Sequence, residues 1–314
     1  MTFYYIDLVS LTSSLFLLSL RINYASQAMD MYSNILYVKE DQTSLSALAR
    51  RLAEQDPYRP ETCCVIGNYY SFRGQHEKAV VYFKRALKLD PNFLPALTLT
   101  GHEFVELKNP AAAIEAYRKA VYINPKDYRA WYGLGQTYEL VNMPHYALHY
   151  YGKAVVLRPN DARMWNALGH CYSSQALWQV ESAIRCYKRA LPYDKEGVAL
   201  RRLASLHNSE DKMHEAAKYY EMILQRAEDE GLASREDAAE AIGFLGNYHK
   251  KIGDLKASQG YYKKLLDYGM PQLREVAKLS LREIQGMIGV STSSPELHST
   301  PGSAQRGSTP HPPR

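Results

Sequence analysis

Residues 128–140 read YRAWYGLGQTYEL, and this stretch decides the fold of the chain. It places Trp131, Leu134, Gly135 and Tyr138 at positions i, i+3, i+4 and i+7, which lie on one face of an α-helix. A glycine inside a helix costs about 1 kcal/mol relative to alanine, so Gly135 indicates close packing of a second helix. The pattern therefore predicts an amphipathic helix with a small-residue contact site.

A second helix is predicted directly after the first. Pro144 indicates its first turn, where the missing N–H of proline has no cost, and Ala147, Tyr151 and Ala154 form its apolar stripe. Pro159 ends this helix and turns the chain onward. We expect the two helices to pack side by side, with the tyrosine filling the space beside the small residues of the first helix.

The same residue types recur every 34 positions along the chain. A sustained period of this size is typical of an array of one supersecondary unit, in which each copy buries its core against its neighbours. The sets in register are Pro57, Pro91, Pro125 and Pro159; Gly67, Gly101, Gly135 and Gly169; Tyr70, Phe104, Tyr138 and Tyr172; Ala79, Ala113 and Ala147; Phe83, Tyr117 and Tyr151; and Ala86, Ala120 and Ala154.

The recurring pattern W-x2-L-G-x2-Y, followed by A-x3-F, A and P, resembles the tetratricopeptide repeat. It implies an all-α fold, an α-solenoid that winds as a right-handed superhelix over residues 26–288. We place repeats at 26–59 (degenerate), 60–93, 94–127, 128–161, 162–196 (with a small insertion before Ala183), 197–230 and 239–272. Residues 231–238 are expected to be a helical extension or spacer.

Composition excludes several classes of protein. The 314 residues are 46% hydrophobic, enough to build a core, and the length alone suggests two domains. The repeats predict one solenoid instead. Four cysteines are too few for a disulfide-stapled secreted scaffold, and a net charge of +5 makes no strong case for nucleic acid. Tyrosine accounts for 26 of the 36 aromatic residues. Eight of these tyrosines fall in two core positions of the repeat, Tyr70, Tyr138 and Tyr172 in one and Tyr117, Tyr151, Tyr187, Tyr220 and Tyr262 in the other.

The two ends differ from the repeats. Residues 1–25 carry an apolar run without the flanks of a signal peptide, and Asp7 would be costly in a membrane span. They are expected to pack on the first repeat or to mark a truncated start, and no membrane function is expected. Residues 289–314 are rich in Ser, Thr, Pro and Gly and are expected to be a disordered tail. Ser294, Thr300 and Thr309 precede prolines there and are candidate phosphorylation sites, although such pairs also occur by chance.

No catalytic or metal-binding motif is present. His102-Glu103 lacks the second histidine of a zinc-protease helix, because position 106 is glutamate. Gly133-Leu134-Gly135 lacks the third glycine of a dinucleotide fingerprint and lies within a repeat helix. Cys63 and Cys64 are adjacent and point to different helix faces, so they form neither a redox motif nor a zinc site. We therefore expect no enzyme activity, no cofactor and no metal.

Binding is the function that the repeats favour. The first helix of each unit lines a concave groove in such arrays, and its positions 2, 5, 9, 12 and 13 lie off the packing stripe. Their mixed charges, amides and aromatic ring suit an extended peptide, with Glu61 or Glu139 pairing a ligand arginine and Asn68 or Gln136 holding the peptide backbone. Any one of them could instead be an ordinary solvated residue. The groove candidates are Glu61, Cys64, Asn68, Thr98, His102, Glu106, Arg129, Tyr132, Gln136, Glu139, Arg163, Asn166 and His170.

Three stretches carry a closer resemblance: RPETCCVIGNYYSFRGQHEKAVVYFKRALKLDPNF (59–93), GHEFVELKNPAAAIEAYRKA (101–120) and DYRAWYGLGQTYELVNMPHYALHYYGKA (127–154). They resemble the family of the eighth subunit of the anaphase-promoting complex, tetratricopeptide scaffolds of a cell-cycle ubiquitin ligase. The resemblance is tight over about residues 29–196, looser to 288 and absent in 1–25. Family members carry further N-terminal repeats through which they dimerise. The chain is thus expected to be N-terminally truncated, and its homodimerisation stays open.

The resemblance implies a non-catalytic scaffold that assembles with other subunits of the complex. It also implies that the groove binds an arginine-bearing motif of the substrate-recruiting coactivator, with Asn68, His102, Glu106 and Glu139 as first choices. The expected location is the nucleus, and the cytoplasm during mitosis. Two alternatives remain: a free-standing adaptor or co-chaperone, although Cys64 replaces the lysine of a carboxylate clamp, and a fragment of an enzyme.

Overall fold

The computed structural model describes residues 28–174, 176–230, 235–267 and 271–292. Within these ranges the chain forms fifteen α-helices and no β-strand. The predicted all-α architecture is therefore confirmed. The helices are α1 (Met29–Val38), α2 (Gln42–Gln55), α3 (Pro60–Phe72), α4 (His76–Leu89), α5 (Leu94–Glu106), α6 (Pro110–Ile123), α7 (Tyr128–Leu140), α8 (Pro144–Leu157), α9 (Ala162–Ser173), α10 (Val180–Ala190), α11 (Val198–Ser209), α12 (Met213–Glu230), α13 (Arg235–Ile252), α14 (Leu255–Asp267) and α15 (Pro271–Thr292).

Consecutive helices form hairpins that stack on one another. Helix α3 packs on α4, α5 on α6, α7 on α8 and α9 on α10, and each hairpin also contacts the next. Their bounds coincide with the predicted repeats 60–93, 94–127, 128–161 and 162–196. Helices α1 and α2 occupy the predicted degenerate repeat at 26–59. The insertion before Ala183 lengthens the turn between α9 and α10.

Glycines of the first helices make room for an aromatic ring of the second helix. A Cβ atom added to Gly101 would lie 2.5 Å from Tyr117 Cε1, and one added to Gly135 would lie 2.5 Å from Tyr151 Cδ1. Tyr117 also packs against the next repeat, because a Cβ on Gly133 would again lie 2.5 Å from its ring. The Tyr117 ring is fully buried between these two glycines. One tyrosine thus joins two successive repeats.

The turn inside each hairpin has a constant backbone shape. The residue two positions before each second helix adopts a left-handed conformation, which L-residues other than glycine and asparagine rarely visit. The longer turn before α10 keeps this feature, with Trp178 in the left-handed position at φ 43°. The full set is Glu40, Gly74, Lys108, Asn142, Trp178, Asp211 and Gly253.

The repeats predict one continuous solenoid. In the structure the chain groups into two compact units, Met1–Tyr219 and Tyr220–Arg314. The first unit contains helices α1 to α11. The second contains α13 to α15, and within it Tyr220 stacks on Phe244 with ring centroids 4.3 Å apart. Tyr262 Oη donates a hydrogen bond to Asn247 Oδ1 at 2.7 Å. Each unit therefore has its own aromatic core.

Two predicted boundaries differ from the structure. Helix α13 begins at Arg235, within the segment 231–238 that was predicted as a helical extension or spacer, so the first helix of the last repeat starts before residue 239. Helix α15 extends to Thr292, past the predicted tail boundary at 289. No proline directly precedes Arg235, and Gly289, which suggested the tail boundary, lies within α15. The segment 1–25 and the phosphorylation candidates Ser294, Thr300 and Thr309 lie outside the described residues.

Candidate functional site

The candidate site lies on the first helices of the first unit. Helix α5 contacts both α3 and α7, whereas the second helices of neighbouring repeats are farther apart. The stack therefore curves toward its first helices, as expected for a repeat array with a concave side. We use the term groove for the face of α3, α5, α7 and α9 that carries the predicted positions.

Asn68 joins helix α3 to helix α1 at the start of the groove. Its side chain is buried, and its amide nitrogen donates hydrogen bonds to Ser33 Oγ and Asn34 Oδ1, both at 2.7 Å. Both amide hydrogens are thus committed to helix α1. The position was predicted to grip a ligand backbone, but only its carbonyl oxygen is left for that purpose. Cys64 and Thr98, also predicted groove residues, are buried.

The end of the groove beside Asn68, which we call its entrance, carries two acidic side chains, Asp30 and Glu61. Asp30 is only 5% exposed, and burial, together with the negative charge of Glu61, raises the pKa of its carboxyl. The positive charge of Arg129 acts on Asp30 in the opposite direction, so this arginine lies close enough to influence the entrance. Asp30 lies in the degenerate repeat and was not predicted, because that repeat has lost the residues that set the register.

Glu103 is a buried carboxylate that the sequence pattern did not reveal. Its Oε1 accepts a hydrogen bond from Ser71 Oγ at 2.7 Å, and its Oε2 lies 2.8 Å from His76 Nδ1. The side chain is 4% exposed. Glu103 thereby ties α5 to α3 and α4 of the preceding repeat. It stabilises the wall of the groove and is not available to a ligand.

His102 lies in the middle of the groove and is half-buried. A hydrogen bond of 2.8 Å joins its Nδ1 to Tyr117 Oη. Burial, aided by the positive charge of Arg129, lowers the pKa of His102 to about 4. His102 is therefore neutral at physiological pH and offers a ligand a hydrogen bond without a charge. Glu106, one turn further along α5, is exposed.

Two arginines begin the first helices of successive repeats. Asp127 caps α7 and Asp161 caps α9, each accepting a hydrogen bond from the backbone N–H of the arginine two residues later. Arg129 Nε lies 3.0 Å from Asp127 Oδ1, and Arg163 Nη2 lies 2.7 Å from Asp161 Oδ2. Burial opposes the charge of Asp161, but the hydrogen bonds from Arg163 hold the pKa of its carboxyl below the usual value. The aspartates thus position both guanidinium groups.

Glu139 is the centre of a polar cluster between two repeats. Tyr151 Oη donates to its Oε2 at 2.6 Å, and His170 Nδ1 lies 2.7 Å from its Oε1. Burial would raise the pKa of Glu139, but the hydrogen bonds from His170 and Tyr151 outweigh burial and keep it below the usual value. The carboxylate is therefore ionised at neutral pH. Each oxygen has a second lone pair that could accept from a ligand.

Three further predicted groove residues, Tyr132, Gln136 and Asn166, lie on the same first helices, α7 and α9. Tyr132 is half-buried, with its ring centroid 5.6 Å from that of Tyr151, and burial raises the pKa of its hydroxyl. Gln136 is half-buried as well. The amide oxygen Asn166 Oδ1 is buried and has no hydrogen-bond partner among the described residues. A buried acceptor without a partner is costly, so Asn166 marks a place for a donor.

We also searched the described part of the chain for metal sites, membrane-spanning helices and reactive thiols. No group of three or more His, Cys, Asp or Glu side chains could hold a metal ion there. Among the helices in those ranges, none is long and apolar enough to cross a membrane. All four cysteines are buried free thiols, and burial raises the pKa of Cys171 and Cys186 to about 11.

Comparisons with known proteins agree with this architecture. The family model "Tetratricopeptide repeat" matches residues 60–93, and a second, "TPR repeat", matches residues 101–141. Anaphase-promoting complex subunit 8 of Arabidopsis thaliana is 57% identical over 263 residues, which cover 83% of this chain and 45% of that protein. The subunit 8 of Dictyostelium discoideum is 54% identical over 267 residues, 85% of this chain and 44% of that protein.

The solved structures include one with the same fold. The crystal structure of the APC/C hetero-tetramer Cut9-Hcn1 aligns with a TM-score of 0.60 at 17% identity, covering 88% of this chain and 52% of that chain. The chain spans about 45% of the length of its Arabidopsis relative. By fold and by sequence, the chain is a tetratricopeptide-repeat protein and a homologue of anaphase-promoting complex subunit 8.

Proposed function

We propose that this chain is a non-catalytic scaffold subunit of the anaphase-promoting complex, the cell-cycle ubiquitin ligase. The observation that carries the proposal is its 57% identity to the Arabidopsis subunit 8 over 83% of the chain. Identity at this level over 263 residues concerns surfaces as well as cores. The chain would assemble with other repeat subunits, and the ligase chemistry would belong to other polypeptides.

The groove would bind a short extended segment of the coactivator that recruits substrates. Glu139 offers an ionised carboxylate to an arginine of that segment, and Asn166 Oδ1 offers an acceptor to a backbone N–H. The guanidinium groups of Arg129 and Arg163 lie on the same helices and could receive a carboxylate or a carbonyl oxygen. Their pairing with Asp127 and Asp161 reduces the entropy lost when a ligand binds.

The scaffold role is tested by purifying the full chain, carrying an affinity tag, from dividing cells and identifying its partners by mass spectrometry. We expect several repeat subunits and a cullin-type subunit in stoichiometric amounts. Recovery of the chain alone, or with a heat-shock protein only, would refute the scaffold role and favour the adaptor or co-chaperone alternative.

The groove is tested by measuring the affinity of a coactivator peptide that contains the arginine-bearing motif. Glu139→Gln keeps the shape of the side chain and removes its charge, and Glu106→Lys reverses an exposed charge on the same face. We expect each to raise the Kd by about tenfold, since a charge-assisted hydrogen bond contributes about 1.5–3 kcal/mol. Glu77→Lys on α4 is the matched control and should leave the Kd unchanged. Unaltered affinity of both groove variants would exclude these residues from the site.

The proposal also includes the location of the chain in the cell and its phosphorylation. The chain would reside in the nucleus and enter the cytoplasm during mitosis, which fluorescence microscopy of a tagged chain can follow. Proline-directed phosphorylation at Ser294, Thr300 and Thr309 would add close to two negative charges at each site. Phosphopeptide mass spectrometry of mitotic cells checks it, and absence of all three phosphates would refute it.

A further inference from the structure

The charges of the first unit are segregated between the two kinds of helix. Among the second helices, α4 carries four lysine or arginine residues, α6 two, α8 one and α10 three, against one glutamate each in α4, α6 and α10. The first helices α3, α5, α7 and α9 carry four glutamates and two arginines. The outer side of the stack is therefore strongly basic, although the net charge of the whole chain is only +5.

Aromatic rings hold several of these cations in place. Lys84 Nζ lies 5.3 Å from the ring centroid of Phe104 on the next repeat, and Arg189 lies 5.1 Å from that of Trp165. Arg118 Nη2 donates a hydrogen bond to Tyr138 Oη at 2.7 Å, again between repeats. All three basic side chains are exposed. Because they are partly ordered already, an anionic partner would lose less side-chain entropy on binding them.

An open pocket lies within this basic surface. It has a volume of about 510 Å³ and lies between the turn after α4, at Pro91 and Asn92, and helix α6. Ile114 and Ile123 form part of its wall, Arg118 and Lys119 its rim, and Tyr122 stands beside them with 88% of its surface exposed. Val156 occupies the same position in the next repeat and is 77% exposed. Such large apolar side chains in water beside a cationic rim are typical of a contact surface.

We propose that this outer surface of α4, α6, α8 and α10 binds an acidic segment of a partner protein, with an apolar side chain of that segment in the pocket beside Tyr122. The partner is expected to be acidic because the surface is basic. Its segment is expected to alternate acidic and apolar residues because a partly apolar pocket lies among the basic side chains. The surface lies on the opposite side of the hairpins from the groove, so the proposal is independent of the coactivator site.

A polypeptide fits this surface better than a nucleic acid does. Glu115 lies in the pocket wall, with its Oε1 2.7 Å from Lys119 Nζ. A uniform polyanion would have to bring a phosphate next to this carboxylate, at an electrostatic cost. A peptide can place an apolar residue there and keep its own carboxylates for the surrounding lysines and arginines. The exposed aliphatic side chain of Val156 adds apolar contact but no means of base recognition.

The proposal is tested by titrating the full chain into a fluorescein-labelled peptide that alternates Glu-Glu with Phe, and following fluorescence anisotropy at about 0.15 M salt. Two matched peptides replace either Glu by Gln or Phe by Ser. The variant Lys88→Glu/Lys119→Glu reverses one exposed charge in the last turn of α4 and one in the pocket lining, and Tyr122→Ser removes the apolar contact. The control Lys256→Glu/Lys263→Glu changes the net charge equally on the exposed face of α14. Circular dichroism verifies that all variants keep their helix content.

We expect the acidic peptide to bind saturably and both matched peptides to bind at least about tenfold more weakly. The charge-reversed variant should lose about tenfold in affinity and Tyr122→Ser about fivefold, while the control retains the original Kd. Equal loss in the control, or no saturable binding of the acidic peptide, would overturn the proposal. Binding of a single-stranded oligothymidine at least as tightly as the peptide would overturn it in favour of nucleic acid.

Discussion

Replacing Gly133 by alanine should destabilise the first unit, although alanine is the better helix former. The new Cβ atom would lie 2.5 Å from Tyr117 Cε1 and Cζ. Carbon atoms in ordinary contact are about 3.5–4.0 Å apart, so the ring would have to retreat by about 1 Å. It cannot do so freely, because its other side is packed against Gly101, where an added Cβ would also meet it at 2.5 Å.

The magnitude follows from two opposing terms. Overpacking a well-filled core costs about 1–3 kcal/mol, and alanine in place of glycine contributes about 1 kcal/mol to helix stability. An approach of 2.5 Å on both sides of the ring puts this change in the upper part of the overpacking range, about 2–3 kcal/mol. The net loss should then be about 1–2 kcal/mol, which lowers the Tm by about 2–8 °C in a unit of this size. Thermal and urea unfolding followed by circular dichroism measure it.

The matched control is Gly152→Ala in helix α8. A Cβ atom at Gly152 meets nothing within 4 Å, so only the helix term remains and the Tm should rise. A second test uses the Tyr117→Leu background, where the smaller side chain should make Gly133→Ala neutral or stabilising. If Gly133→Ala behaves like Gly152→Ala, or costs the same in both backgrounds, the shared-ring explanation is refuted.

Three further predictions follow from the groove wall. Glu103→Ala should lower the free energy of unfolding by about 2–3 kcal/mol, because Ser71 and His76 lose their buried acceptor. Glu103→Gln should lower it by less. Equal Tm values for both variants and the parent would contradict this. Tyr151→Phe should cost about 1–2 kcal/mol by removing a hydrogen bond to an ionised carboxylate, and should leave the helix content unchanged. Since His102 has a pKa of about 4 when folded and 6.5 as the ordinary value, the unfolded chain binds a proton first, so stability should fall as pH drops from 6.5 to 4. His102→Gln should flatten that part of the Tm-against-pH profile, and a slope identical to that of the parent would remove His102 as its source.

Helix positions were predictable because their signals are local. Pro144 begins α8 and the stripe of Trp131, Leu134 and Gly135 gives α7, both within a few residues of the deciding side chains. The start of α13 at Arg235 was not predicted, because Glu236 and Asp237 favour a first helical turn only weakly compared with a proline.

The roles of polar residues were harder to predict than their positions. Asn68 lies where the repeat places a ligand-binding residue, yet its amide hydrogens go to Ser33 and Asn34. Glu103 has no special place in the repeat pattern but bonds two side chains of the preceding hairpin. Such partners come from a neighbouring repeat, and a periodic pattern within one repeat cannot specify which rotamers meet across the stack. Glu139 was predicted to pair with a ligand arginine, and the structure adds contacts with Tyr151 and His170 that the repeat pattern did not indicate.

The left-handed residue before each second helix has a practical consequence for changing this protein. It sits two positions before α4, α6, α8 and α10 alike, even where the turn preceding α10 is longer. The orientation of the second helix is thus fixed by the last residues of the turn and not by its length. Epitope tags, fluorophore sites or extra residues inserted after Ser173 and before Trp178 should therefore leave the register of the downstream hairpins intact, and this turn is where such an insertion should be made.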